Sequence, residues 1–210
     1  MKHILFLAAA TLASACALNA DMDDFANGIT DDQITGFIPG YPDGDVITNP
    51  TNDIFIIDGE EISGQVMQIN DIVTFRAADH TRPDDYVIRW RGHRLPGSSQ
   101  PIDISILDDQ DRLVIGVHIT QFNIEFETGE ASDAPVHISL EPGPHDIALT
   151  IGKGVASNID ISVTSSEGEV NGFSSIDPVD SGFEKLHRVV FETGDNVRYQ
   201  IDDLVAELKN

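Results

Sequence analysis

Residues 102–119 read Ile102-Asp103-Ile104-Ser105-Ile106-Leu107-Asp108-Asp109-Gln110-Asp111-Arg112-Leu113-Val114-Ile115-Gly116-Val117-His118-Ile119. Ile102, Ile104 and Ile106 alternate with Asp103 and Ser105. After four turn-forming residues, Leu113, Ile115, Val117 and Ile119 alternate with Val114, Gly116 and His118. Side chains at i and i+2 share one face of a strand, so each run has a single apolar face, as half-buried antiparallel strands require. The period continues outward through Phe122, Ile124 and Phe126, then Val136, Ile138 and Leu140, then Ile147, Leu149 and Ile151, then Ile159, Ile161 and Val163. Turn chemistry separates the runs at Glu141-Pro142-Gly143-Pro144, Gly152-Lys153-Gly154 and Glu167-Gly168. Many short strands with hardly any helical periodicity predict an all-β fold, an antiparallel β-sandwich over residues 53–210. The tail from Leu204 to Leu208 reads as its last strand.

The chain opens on the basic Met1-Lys2-His3, followed by an uncharged apolar run from Ile4 to Ala15. A membrane span needs about 20 apolar residues, so residues 1–15 read as a signal peptide. Leu12-Ala13-Ser14-Ala15-Cys16 resembles a bacterial lipobox, with Ala13 in the place usual for Leu. That resemblance implies lipidation of Cys16, and Ala17 in the next position points to an exported, outer-membrane lipoprotein. Ordinary signal-peptidase cleavage is the alternative and leaves a periplasmic or secreted protein. The single cysteine makes no intrachain disulfide, so apolar burial must stabilise the domain. Residues 16–52 mix Asp21, Asp23, Asp24, Asp31, Asp32, Asp43 and Asp45 with glycines and prolines, and read as an acidic tether. Its mean reach is roughly 30 Å. Phe25, Ile34, Phe37, Ile38 and Tyr41 are unusual in a spacer and leave open that part of it docks on the domain.

The chain carries 36 Asp plus Glu against 12 Lys plus Arg, a net charge of -24. Such a field repels phosphate backbones, which excludes nucleic acid as a partner and disfavours anionic lipid and polyanionic glycans. Contact with a membrane is then expected only through a lipid anchor.

His145-Asp146-Ile147-Ala148-Leu149-Thr150-Ile151, the pair Asn158–Val163 and Glu167-Gly168-Glu169-Val170, and the closing Tyr199-Gln200-Ile201-Asp202-Asp203-Leu204-Val205 are similar to strands of the concanavalin A-like (laminin G-like) jelly rolls. The resemblance covers residues 53–208 and rests on order and spacing. It implies two curved antiparallel sheets, with any glycan groove on the concave one.

Tyr86-Val87-Ile88-Arg89-Trp90-Arg91-Gly92-His93-Arg94 concentrates aromatic and basic side chains in a chain poor in both. Trp90, the single tryptophan, is a candidate sugar-stacking platform, with Arg89 and Arg91 bonding hydroxyls. The competing reading puts Tyr86, Ile88 and Trp90 in the core and pairs Arg89 and Arg91 with acids; the face shared with Ile88 favours it. Asn123, Glu125 and Glu127 share a face, with neighbouring carboxylates about 7 Å apart. Some jelly-roll glycosidases carry acids in a similar pattern, but Asn123 stands where the resemblance puts the nucleophile. The serine pairs lack nucleophile-elbow context, and the histidines lack zinc-motif spacing. No enzyme activity is therefore expected. Asp108-Asp109-Gln110-Asp111 reads as a turn rather than a calcium loop.

Near the end, the apolar set Val197, Tyr199 and Ile201 gives way to Leu204, Ala206 and Leu208. The parity switches at Asp202-Asp203, where a one-residue bulge is expected. Similar Ile-Asp-Asp strands in jelly-roll carbohydrate-binding domains imply a structural calcium ion there, held by Asp202 and Asp203 with Asp58 and Glu60. Pairing of the acids with Arg188 or Arg198 is the alternative. These readings converge on a non-catalytic, surface-anchored module for a neutral carbohydrate. The alternatives are a structural or assembly lipoprotein docking another envelope protein and, third, a glycosidase or polysaccharide lyase.

Overall fold

The computed structural model describes residues 34–35, 37–40, 54–77, 86–97, 100–128, 136–152, 158–179, 186–194 and 196–208. Cys16 and the expected signal peptide, residues 1–15, lie outside the described residues. The described residues form strands β1 (Ile34–Thr35), β2 (Phe37–Gly40), β3 (Ile54–Asp58), β4 (Gln65–Ile69), β5 (Ile72–Ala77), β6 (Tyr86–Arg94), β7 (Ile102–Asp108) and β8 (Leu113–Ile119). They continue with β9 (Asn123–Glu127), β10 (Val136–Ser139), β11 (His145–Ile151), β12 (Ile159–Ser165), β13 (Val170–Ile176), β14 (Leu186–Thr193) and β15 (Tyr199–Leu208). No helix occurs among them.

One sheet has the order β13-β12-β11-β6-β15-β4-β3, with β1 added beside β15; the other runs β10-β9-β8-β7-β14-β5-β2. Every pairing is antiparallel except β1 with β15. The alternation seen in the sequence becomes the burial pattern, since β7 and β11 alternate buried and half-buried residues along their whole length. Phe191 of β14 meets Phe75 edge-on at 5.6 Å and, across the sandwich, Trp90 of β6 at 5.9 Å and Tyr199 of β15 at 6.3 Å. Each such buried side chain contributes about 1.5–3 kcal/mol. Gly92 is required beside them: a Cβ there would lie 1.9 Å from the Tyr199 hydroxyl.

Two expectations change, and β13 lacks the single apolar face of the other runs. Strands β1 and β2 lie inside the segment expected to be a tether, and the sandwich recruits them through backbone pairing with β15 and β5. Phe122 is 61% exposed rather than on the apolar face, because the turn before β9 is held by Thr120, whose hydroxyl accepts from the Asn123 amide at 3.0 Å. Strand β13 has no buried face; six of its seven residues are exposed.

Two local readings are borne out. In the turn after β7, the buried Asp108 carboxylate accepts from the amides of Gln110 and Arg112, both at 2.9 Å, and from the Arg112 side chain at 2.7 Å. In β15, Asp202 pairs with Arg91 and Val205 with Arg89, so three steps along β15 match two along β6. Asp203 takes up the extra residue at φ 52, and Leu204 and Ala206 turn inward behind it.

Candidate functional site

Trp90 is 1% exposed, and its Nε1 donates to the Tyr199 hydroxyl at 2.9 Å. The ring has no free face, so the expectation of a stacking platform is overturned and the core reading holds. Arg89 and Arg91, on the opposite side of β6, point out of the sandwich. Arg91 donates through Nε to Asp146 Oδ1 at 2.8 Å and through Nη2 to Oδ2 at 3.3 Å, a two-pronged contact between β6 and β11. Its pKa is raised by that bond and by the Asp146 charge. Arg89 lies 4.0 Å from Glu207.

Between these strands and β15 lies a depression of about 410 Å³. Arg89, Arg91, Asp146 and Asp203 border it, while Ala148 and Val205 form a small, apolar floor. Sheet register brings these residues together: Asp202, Arg91 and Asp146 are directly paired across three strands, as are Val205, Arg89 and Ala148 two residues further along β6. The bulge turns the exposed Asp203 into the same depression. A non-glycine residue at positive φ costs free energy that the surrounding structure must offset, and such positions cluster at functional sites.

The expected calcium ligands do not converge. Asp58 is exposed on β3, whereas Glu60 lies 3.4 Å from Arg198 and donates its amide to Gln200 Oε1 at 3.1 Å. Among the described residues, no three His, Cys, Asp or Glu side chains are grouped to hold a metal. Calcium needs six to eight oxygens, and this donor set does not fit it.

A second polar cluster stands where β6 ends and β11 begins. The indole N–H can only donate, so the Tyr199 oxygen accepts from Trp90; the phenol also meets His145 Nε2 at 3.2 Å and donates to it when the imidazole carries its proton on Nδ1. Burial pushes the Tyr199 phenol up, outweighing the Trp90 bond, and lowers His145 to about 4, outweighing the Gly143 backbone contact. His93 is also buried and lowered, against the opposing charges of Glu61 and Glu60. The two rings open into a cleft of about 150 Å³ at the rim of the sandwich. A wider hollow of about 570 Å³ lies among turns at Asn70, Pro96 and Asn196, with Asp71 and Arg198 as its charged groups.

The outer face of the other sheet aligns Glu192, Asp103, His118, Glu125 and His137 across five neighbouring strands. His118 Nδ1 is 2.6 Å from Asp103 and Nε2 is 3.8 Å from Glu127. Glu125 and Glu127 therefore share their face with histidines. Individual strands showed that each of these residues faces outward, but the row depends on register, which one strand does not encode.

No protein-family model matches the chain, and no curated protein does. Solved structures do match its fold. The cellulose-induced protein Cip1 aligns with TM-score 0.54 and 14% identity, over 88% of this chain and 95% of that one. Alginate lyase AlgAT5, from Polysaccharide Lyase family 7, aligns with TM-score 0.53 and 12% identity, over 86% and 98%. A legume lectin-like domain from Entamoeba histolytica gives TM-score 0.50 and 8% identity, over 83% and 91%. The chain also spans 17% of the length of a sialidase. The fold is thus a concanavalin A-like jelly roll, of a kind shared by lectin-like domains and by polysaccharide-active enzymes.

Proposed function

We propose that this domain is a non-catalytic module that binds a neutral carbohydrate in the depression over β15, β6 and β11. The observation that carries this reading is the bulge that turns Asp203 toward Arg89, Arg91 and Asp146. Two guanidinium groups and two carboxylates supply planar donors and acceptors for hydroxyl pairs, and Ala148 and Val205 leave room for a sugar ring above the sheet. The four charges balance, in a chain whose net charge of -24 repels polyanions. Lectin-like domains among the solved structures of this fold support the reading. A Cys16-linked lipid would hold the module at the outer membrane.

The test is a glycan array probed with the labelled mature protein. Binding to a neutral glycan that is lost on Asp203→Gly supports the proposal. Exclusive binding to uronate or sulfated glycans would overturn it.

A further inference from the structure

Along β6, Arg89, Arg91 and His93 project to the same side, because alternate residues share a face. His93, which lines the rim cleft, therefore stands about 7 Å further along β6 from Arg91, on the face of the depression. That cleft, about 150 Å³, holds roughly five waters' worth of space, enough for one sugar ring rather than a run of them. His93, His145, Thr120 and Gln121 offer polar atoms, Glu61 and Glu141 add carboxylates, and Leu140 and Pro142 present apolar surface.

His93 is 4% exposed, and its Nδ1 has no hydrogen-bond partner among the described residues. Its Nε2 stands 3.6 Å from Glu61, beyond hydrogen-bond distance. An unmet buried polar group is costly, and a ligand reaching it removes that cost. A neutral imidazole offers one donor and one acceptor, as a hydroxyl does. Two carboxylates repel a phosphate or a uronate at the same place. We infer that the cleft receives the terminal ring of the neutral glycan whose next ring lies in the depression, so that the module binds chain ends. The inference rests on the glycan reading given above.

The experiment uses the neutral polysaccharide that gives the strongest array signal, both intact and partly depolymerised, with saturating mature protein. Chain-end binding predicts that the protein bound per mass of glycan rises in proportion to the number of ends. Gln121 is exposed at the cleft, so Gln121→Trp can plug it without disturbing the core. That variant should lower affinity for the short chains at least about tenfold, equivalent to about 1.4 kcal/mol. Capacity that ignores chain length and is unmoved by Gln121→Trp, in a protein whose binding still requires Arg91, overturns chain-end recognition and leaves the glycan reading standing. If no neutral glycan binds the wild-type protein, both fall.

Discussion

Asp108 has no exposed surface, yet it is held as a carboxylate. Burial pushes its pKa up, but the Arg112 guanidinium and two backbone amides outweigh that and bring it below the usual carboxylate value. Its stabilisation is therefore present above the unfolded-state pKa and is lost as the pH falls through the lower folded value. Asp108→Ala removes one partner of a buried pair and should cost about 3 kcal/mol, read as a lower midpoint of urea unfolding. His145 works in the same direction by a different route. Its folded pKa of about 4 lies below the usual histidine value of 6.5, so the unfolded chain takes up the proton first as the pH falls. Stability is lost between those two values, by about 3 kcal/mol at full protonation. In His145→Gln, whose amide can still accept from Tyr199, the decline in melting temperature from pH 7 to pH 4 should be shallower than in wild type. Equal slopes would remove His145 as the cause.

At the scale of elements, β15 shows how much the sequence disclosed. The change of apolar parity at Asp202-Asp203 predicted the bulge because side-chain period is a local property that sterics and burial impose on any strand. What the bulge faces is a property of register. Arg89, Arg91, Asp146 and Asp203 come from three strands distant in sequence, and only the pairing of β11, β6 and β15 reveals that they border one depression. Trp90 was ambiguous for a related reason: its face was legible from Ile88, but the Tyr199 phenol that accepts its N–H is contributed by another strand. The histidine row of the other sheet was legible only in part: the sequence puts His118 and His137 on polar strand faces that could meet across a sheet, but that Glu125 stands between them follows only from the pairing of β8, β9 and β10. For Asp203 the two roles separate. Asp203→Gly suits φ 52 and should keep or slightly raise the melting temperature while lowering glycan affinity. Deleting Asp203 instead shifts Leu204 and Ala206 to the outer face, and the chain should fail to fold cooperatively.

At the scale of the whole molecule, a patch carrying two arginines lies on a strongly acidic chain, and the lipid proposed on Cys16 is tested separately. Cys16→Ala should abolish palmitate incorporation and move the protein to the soluble fraction; unchanged membrane partition would remove the lipid anchor. The central claim is that Arg91 and its neighbours bind a neutral glycan, and calorimetric titration of the array-selected neutral oligosaccharide tests it most directly. Arg91→Ala removes hydrogen bonds of the charged kind, worth about 1.5–3 kcal/mol, so affinity should fall at least about tenfold. The exposed pair with Asp146 contributes at most about 1 kcal/mol to folding, so the melting temperature should barely change. Glu125→Gln, on the other sheet, should bind as wild type does. Undiminished affinity in Arg91→Ala, with loss in Glu125→Gln, would contradict the account and move the site to the opposite face.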